Sequence, residues 1–260
     1  MINYTFTYSD LEFFLLIFVR VSAFVYIVPF FNLSHVPMRF RLGLAVMLSI
    51  LLYGAISPHN TVEYTTVFGY AVVVMKEVMT GLLLGFGVQL CTAILSITGA
   101  IADMEVGFSM VFLIDPVTKE QTTITSSFYQ YMVTLILILS GMYEYIIRAL
   151  AESYTLIPVN GAVFHEDKLL NAIVTFMGQY ISIGFQLCLP VFAAILLLDV
   201  ILGIMAKVSP QMNMFAVGLQ LKILAGLTIM MLTVSLLPTM SDMIFMEAKK
   251  MTVLFVEALR

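Results

Sequence analysis

The chain has 260 residues, of which 61% are hydrophobic and only 11% charged, with a net charge of −4 and a mean hydropathy of +1.04. An ordinary soluble domain carries about 25% charged residues, so this composition is that of an integral membrane protein. The charge is spread along the chain, and no basic run points to nucleic acid or to an anionic membrane surface.

The N-terminal MINYTFTYSD contains no Lys or Arg. It lacks the positive n-region of a cleaved signal peptide, so Met1 is expected to remain. Residues 10–31 form the first apolar run, with Arg20 near its middle and Pro29 near its end. The run is long enough to cross about 30 Å of hydrocarbon. A loop over 32–41 holds His35, Pro37, Arg39 and Arg41, and 42–56 predicts a second span closed by Ser57-Pro58.

Residues 68–114 are apolar throughout, yet they carry Lys76, Glu77, Asp103 and Glu105. A helix of that length would reach roughly 60 Å or more, about twice the hydrocarbon thickness. It must bend back, or much of it must sit outside the bilayer within an assembly. Glu77, Gly81, Gly85, Gln89, Thr92, Ser96, Gly99, Asp103 and Gly107 follow one another at helical spacings of three or four, which makes one continuous stripe. Two readings stand. Gly81-x-x-x-Gly85 is a close helix-packing face. Alternatively the stripe lines a water-filled path or meets a polar partner, because Glu77, Gln89 and Asp103 need hydrogen bonds.

Asp115-Pro116 then punctuates the chain, and 117–127 is a polar, Thr-rich loop. Residues 128–147 predict another span flanked by Tyr129, Tyr131, Tyr143 and Tyr145, which suits an interfacial belt. A second polar loop is expected over 148–170. Residues 171–206 are too long for one simple span, and Pro190 should kink them.

The stretch 196–226 predicts a helical hairpin. Lys207 to Asn213 form a short polar break with Ser209-Pro210 at its centre, and Pro210 should end the first arm. Asp199 and Lys222 lie inside the two arms. Each would cost roughly 2.5–3.5 kcal/mol at the centre of a bilayer, so both are expected against protein or water. Residues 241–260 mix charged and apolar positions as an amphipathic helix for an interface or a partner. With six crossings, loop charge does not decide the topology. One side holds Arg39, Arg41, Lys119 and Lys207, and the other Arg148, Lys168, Lys249, Lys250 and Arg260.

Familiar chemistry is absent. His35, His59 and His165 have no metal-ligand spacing, and Gly85-Phe86-Gly87 continues into an apolar helix rather than a dinucleotide motif. No Walker A sequence is present. Cys91 and Cys188 sit in separate apolar runs and read as buried free thiols. No catalytic residue, cofactor or metal is expected, and the chain does not read as an enzyme. The 19 methionines either fill irregular core gaps or, at Met110 beside Phe108, Phe112 and Leu113, make a deformable seal.

At Leu198-Asp199, Gly203, Lys207, Pro210-Gln211-Met212-Asn213-Met214-Phe215, Gly218 and Lys222 the chain resembles the FliR family of bacterial export-gate proteins. Further matches are Arg20, Pro29, Pro37, Arg39, Glu77-Gly81-Gly85, Gly99 through Gly107-Phe108-Ser109, and Asp115-Pro116. The family often has Arg where Lys207 stands, so the charge is kept but the planar fork is not.

The resemblance implies an all-α polytopic membrane protein whose long, kinked hairpins pack with FliP-like and FliQ-like subunits in a helical cone around an export channel. Much of that cone would be raised above the bacterial inner membrane. Residues 1–170 would pack like FliP, 171–240 would form a FliQ-like hairpin near an FlhB-like switch protein, and 241–260 the amphipathic helix. Residues 107–120 would be a plug closing the channel to unfolded export substrates. Its members are Gly107, Phe108, Met110, Phe112, Leu113, Ile114, Asp115 and Pro116. The hairpin residues Asp199, Gly203, Lys207, Pro210, Gln211, Asn213, Phe215 and Lys222 would serve assembly. A flagellar export gate is the first reading and an injectisome gate the second. A small-solute secondary transporter is the third, without the internal repeat such proteins often show.

Overall fold

A chain in hydrocarbon must satisfy its backbone locally, so its apolar runs become helices. The computed structural model of the chain describes residues 7–29, 31, 36–56, 64, 66–108, 113–114, 121–209, 211 and 213–260. The described residues are all-α apart from one two-residue strand pair. The elements in order are α1 (Tyr8–Ile27), α2 (Met38–Ala55), α3 (Val67–Val106), β1 (Leu113–Ile114), β2 (Gln121–Thr122), α4 (Ile124–Leu139), α5 (Met142–Leu156), α6 (Glu166–Val208), α7 (Met214–Thr233) and α8 (Leu237–Leu259). A 3-10 turn, Val234–Leu236, joins α7 to α8.

Local chemistry sets the helix ends. The Thr7 N–H donates to the Asp10 carboxylate at 2.9 Å and opens α1. Outside the helices, the Tyr64 phenol donates to Glu12 of α1, and that carboxylate pushes the phenol up to about 12. α3 runs 40 residues without a break, about 60 Å at 1.5 Å per residue. It does not bend back, and it stops at Gly107, whose φ of +93° ends the helix in the left-handed region.

Several sequence expectations are corrected. The span over 128–147 is broken at Ser140-Gly141. There the Ser140 N–H donates to the Ile136 carbonyl at 2.8 Å, and Gly141 takes φ +79°. The polar loop over 148–170 shrinks to 157–165, because α5 continues through Arg148 to Leu156 and α6 begins at Glu166. α6, at 43 residues with Pro190 inside it, is longer than one simple span, as expected. Among the described residues, four segments are long and apolar enough to cross a bilayer, or five if α4 and α5 make one broken span, where six crossings were expected. α1 is not among them: it carries Asp10, Glu12 and Arg20.

The chain divides into two compact units. The first comprises residues 1–91, 141–176 and 246–260. Its core is the α1 stripe Phe13, Leu16, Ile17, Val21 and Phe24, with Ile146, Leu150 and Tyr154 from α5. The last turns of α8 bury Met251, Phe255, Ala258 and Leu259 completely. Their apolar face is therefore covered by the chain itself rather than kept for a partner, which corrects the expectation for 241–260. The second unit comprises 92–140 and 177–245. Its core gathers Ala102, Val106, Cys188, Val191 and Ile195, with Phe108 and Ile229 against it. Cys91 and Cys188 are buried free thiols, one in each unit.

Candidate functional site

An arginine in an apolar run needs a counter-charge and acceptors for its fork. Arg20 on α1 is fully buried, and its Nε donates to Glu77 Oε2 on α3 at 2.6 Å. Its Nη1 donates to the Ile157 carbonyl at 2.9 Å and its Nη2 to the Pro158 carbonyl at 3.4 Å. The guanidinium also lies 4.2 Å above the centre of the Tyr154 ring. Glu77 uses its other oxygen to accept the Asn160 N–H at 2.8 Å. Each charge is thus paired, each nitrogen of the guanidinium donates once, and each carboxylate oxygen accepts once, which offsets the penalty of burying the pair. The knot joins α1, α3 and the turn after α5, where Asn160 takes φ +65°.

The glycines of α3 allow this closeness. A Cβ on Gly81 would stand 2.3 Å from the Arg20 carbonyl oxygen, and one on Gly85 would stand 2.0 Å from Ile27 Cγ2. In the second unit a Cβ on Gly99 would stand 2.2 Å from the Ser126 nitrogen. One turn further on, buried Asp103 accepts the Thr125 N–H at 2.9 Å and also the Thr125 hydroxyl. The Ser126 hydroxyl donates to the Ser96 carbonyl at 2.8 Å. An acid on α3 therefore caps the N-terminus of α4, where the helix dipole favours a negative charge. Of the stripe, Glu77, Gly81, Gly85, Thr92, Gly99 and Asp103 are buried, Gly107 is half-buried, and Gln89 and Ser96 are exposed. Close packing accounts for Gly81, Gly85 and Gly99, and hydrogen bonds within the chain for Glu77 and Asp103.

The remaining expected residues fall in two places. Phe108 packs on the core of the second unit, and Leu113 and Ile114 pair antiparallel with Thr122 and Gln121. Met110, Phe112, Asp115, Pro116 and Pro210 lie outside the described residues, as does the Phe215 side chain. On the hairpin, Lys222 Nζ lies 2.7 Å from Asp199 Oδ1 and donates to Oδ2 at 2.8 Å. The pair is not buried in the isolated chain: Lys222 is 26% and Asp199 43% exposed. Gly203 faces open space, and Lys207, Gln211 and Asn213 are exposed.

Sequence reasoning marked Arg20, Glu77 and Asp103 but not their partners Tyr154, Asn160 and Thr125. The signal available was electrostatic: a mid-span arginine requires an acid on a neighbouring helix. The two backbone carbonyls it binds leave no trace in side-chain type. Among the described residues no group of three or more His, Cys, Asp or Glu gathers to hold a metal ion.

Residues 11–248 match the family described as bacterial export proteins, family 1. The chain belongs to this family. It is 31% identical over 226 residues to the flagellar biosynthetic protein FliR of Bacillus subtilis, covering 86% of each chain. It is 29% identical to the FliR of Aquifex aeolicus over 88% of each chain. It is also 27% identical to the surface presentation of antigens protein SpaR of Shigella flexneri, over 92% of each. The matched stretch contains α1 almost whole, the Arg20–Glu77 knot, the Asp103 cap and both arms of the Asp199–Lys222 hairpin, so these features lie within the family's domain.

Proposed function

We propose that this chain is a subunit of the gate through which a type III system exports unfolded polypeptides, in the bacterial inner membrane at the flagellar basal body. The observation that carries this reading is the match to FliR of Bacillus subtilis over 86% of both chains. The structure adds physical support. α2 and α6 bury only 22% of their apolar windows within the chain, against 56% for α3. The Val217–Leu259 segment buries 28%, and spans left this bare are built to be covered by lipid or by further helices. FliP-like and FliQ-like subunits are the proposed cover, with an FlhB-like switch protein beside the hairpin tip. A 40-residue α3 twice the depth of the hydrocarbon suits a cone raised partly above the bilayer. Residues 107–120 are the proposed plug, entered through the left-handed Gly107.

The test is co-expression and purification in mild detergent. The chain should co-purify stably with FliP-like and FliQ-like proteins of the same genome. A chain that stays monomeric beside them would overturn the reading. SpaR favours a second setting, the injectisome gate, and loss of motility on deletion separates the two.

A further inference from the structure

The first turns of α1 and α3 lie side by side in the first unit. The two helices run in the same direction, since Arg20 meets Glu77 and, further on, Ile27 meets Gly85. That offset sets Glu12 level with Tyr70. Thr66 opens α3 by accepting the Gly69 N–H at 3.2 Å, and Tyr64 just before it packs on Tyr70, ring centres 5.2 Å apart. The Tyr64 phenol donates to Glu12 Oε1. Tyr8 stands one turn before Glu12 on the same face of α1 and lies near both other phenols.

This is half of a cation site. Among the described residues Glu12 Oε2 has no donor, and Glu12 pairs with no base. Nor do other charges offset it. Asp10, which accepts from Thr7, and Glu152, which shares a cleft with Phe13, are both acids. Arg39 and Arg41 sit at the far end of α2, whose last turns pack Tyr53 on Phe13 and Phe14. Lys76 of α3 is about 9 Å beyond Tyr70 along the helix axis and a third of a turn round it. Tyr8 and Tyr64 are 76% and 38% exposed, so the site is open to a ligand.

The chain itself shows what completes such a set. In the knot further along the same two helices, the Arg20 guanidinium pairs with Glu77 at 2.6 Å and lies 4.2 Å over the Tyr154 ring. At the start of α1 and α3 the carboxylate and the tyrosine rings recur without the guanidinium. We propose that Tyr8, Glu12, Tyr64 and Tyr70 receive the guanidinium of an arginine from a neighbouring subunit. A planar fork donates to Glu12 Oε2 while lying on a ring face, whereas a lipid ammonium is a point charge with no plane to stack. That a gate subunit supplies the arginine rests on the proposed function. That the site takes a guanidinium does not.

The first test uses the full isolated chain in mild detergent, with argininamide as the probe. Tyrosine ring resonances read binding, and the Tyr64 signal is identified by its loss in Tyr64→Phe. Argininamide should move the Tyr64 and Tyr70 signals saturably at millimolar concentration. Glu12→Gln and Tyr70→Leu should each weaken binding roughly fivefold, whereas Tyr70→Phe, which keeps the ring face, should bind as the parent does. Circular dichroism controls for folding, and if Glu12→Gln misfolds, Tyr70→Leu against Tyr70→Phe decides. No shift in the parent, or equal binding in the folded Glu12→Gln and Tyr70→Leu chains, overturns the proposal. Phosphatidylethanolamine nanodiscs that move the same signals and exclude argininamide would overturn it in favour of a lipid site. The second test is the complex co-purified with FliP-like and FliQ-like proteins. Glu12→Gln should lower its yield. Benzoylphenylalanine in place of Leu11, on the same face as Tyr8, should cross-link a partner peptide that carries an arginine. Normal yield of the Glu12→Gln complex, or a cross-linked peptide without arginine, overturns the subunit contact. If the parent chain does not assemble at all, the export reading fails, while the argininamide titration still decides the site.

Discussion

Arg20 donates from Nε to Glu77 Oε2 at 2.6 Å, and both side chains are fully buried. Removing one member leaves the other charged, desolvated and unpaired. Glu77→Ala should therefore destabilise the chain by about 3–5 kcal/mol. Arg20→Met with Glu77→Leu should cost much less than the sum of the single changes, although the Ile157 and Pro158 carbonyls lose their donors. Unfolding midpoints in detergent measure the cycle. A coupling within about 0.5 kcal/mol of zero would show that the two ions do not act as a pair.

The glycines of the long helices separate into two kinds. Gly81 sits where a Cβ would meet backbone oxygen at 2.3 Å, whereas Gly203 has nothing within 4 Å. Gly81→Ala must push α1 off α3, and overpacking of this kind costs roughly 1–3 kcal/mol. Gly203→Ala should leave the isolated chain unchanged or stabilise it by up to roughly 1 kcal/mol, from helix propensity alone. Thermal melts of the two variants test the contrast. If Gly203→Ala melts normally but lowers complex yield, its open face is a subunit contact.

The sequence made the helices visible and their contacts mostly not. Hydropathy located α1, α2, α3 and the hairpin because each is a long apolar run between polar breaks. It missed the break at Ser140-Gly141 because one left-handed glycine inside an apolar run does not change mean hydropathy. It misjudged 241–260 because amphipathicity reports that a face needs cover, not what covers it, and here α8 is covered within its own chain. The glycine and acid stripe was legible as a periodic pattern. That Glu77 meets Arg20, and that Asp103 meets Thr125, depends on pairing between elements distant in sequence, 57 residues apart in the first case and 22 in the second.

Asp103 caps α4 from a different helix, so its removal should act locally. In Asp103→Ala the Thr125 N–H and hydroxyl lose their acceptors. The lost cap should cost about 1 kcal/mol, and more where the N–H stays buried. Amide exchange in the first turn of α4 should quicken while α5 stays protected. Unchanged exchange at Thr125 would assign the anchoring of α4 to the Gly99–Ser126 contact instead.

The proposed plug should hold ions back by staying dry. Phe108 is excluded from the test because it packs on the core of the second unit, and its loss would confound leakage with instability. Replacing Met110, Phe112, Leu113 and Ile114 with Ser should leave the assembled complex intact but leaky. Conductance in planar bilayers reads the leak, with complex yield as control. A tight and fully assembled variant would place the seal in another subunit.

Asp199 and Lys222 pair at 2.7 Å while remaining 43% and 26% exposed. In detergent, water reaches both, and such a pair contributes about 1 kcal/mol or less. Asp199→Asn should then barely move the melting temperature of the isolated chain. In a bilayer the same change leaves Lys222 without its counter-ion, at a cost of up to about 2.5–3.5 kcal/mol near the membrane centre. Insertion and complex yield should therefore fall for Asp199→Asn and for Lys222→Gln. They should recover in Asp199→Leu with Lys222→Leu if the pair serves only to neutralise itself. If the double variant inserts normally yet still fails to assemble, the ions also contact a partner subunit, whose polar group must replace the water that reaches them in the isolated chain. Equal behaviour of single and double variants in both detergent and bilayer would show that the ion pair carries no weight in either setting.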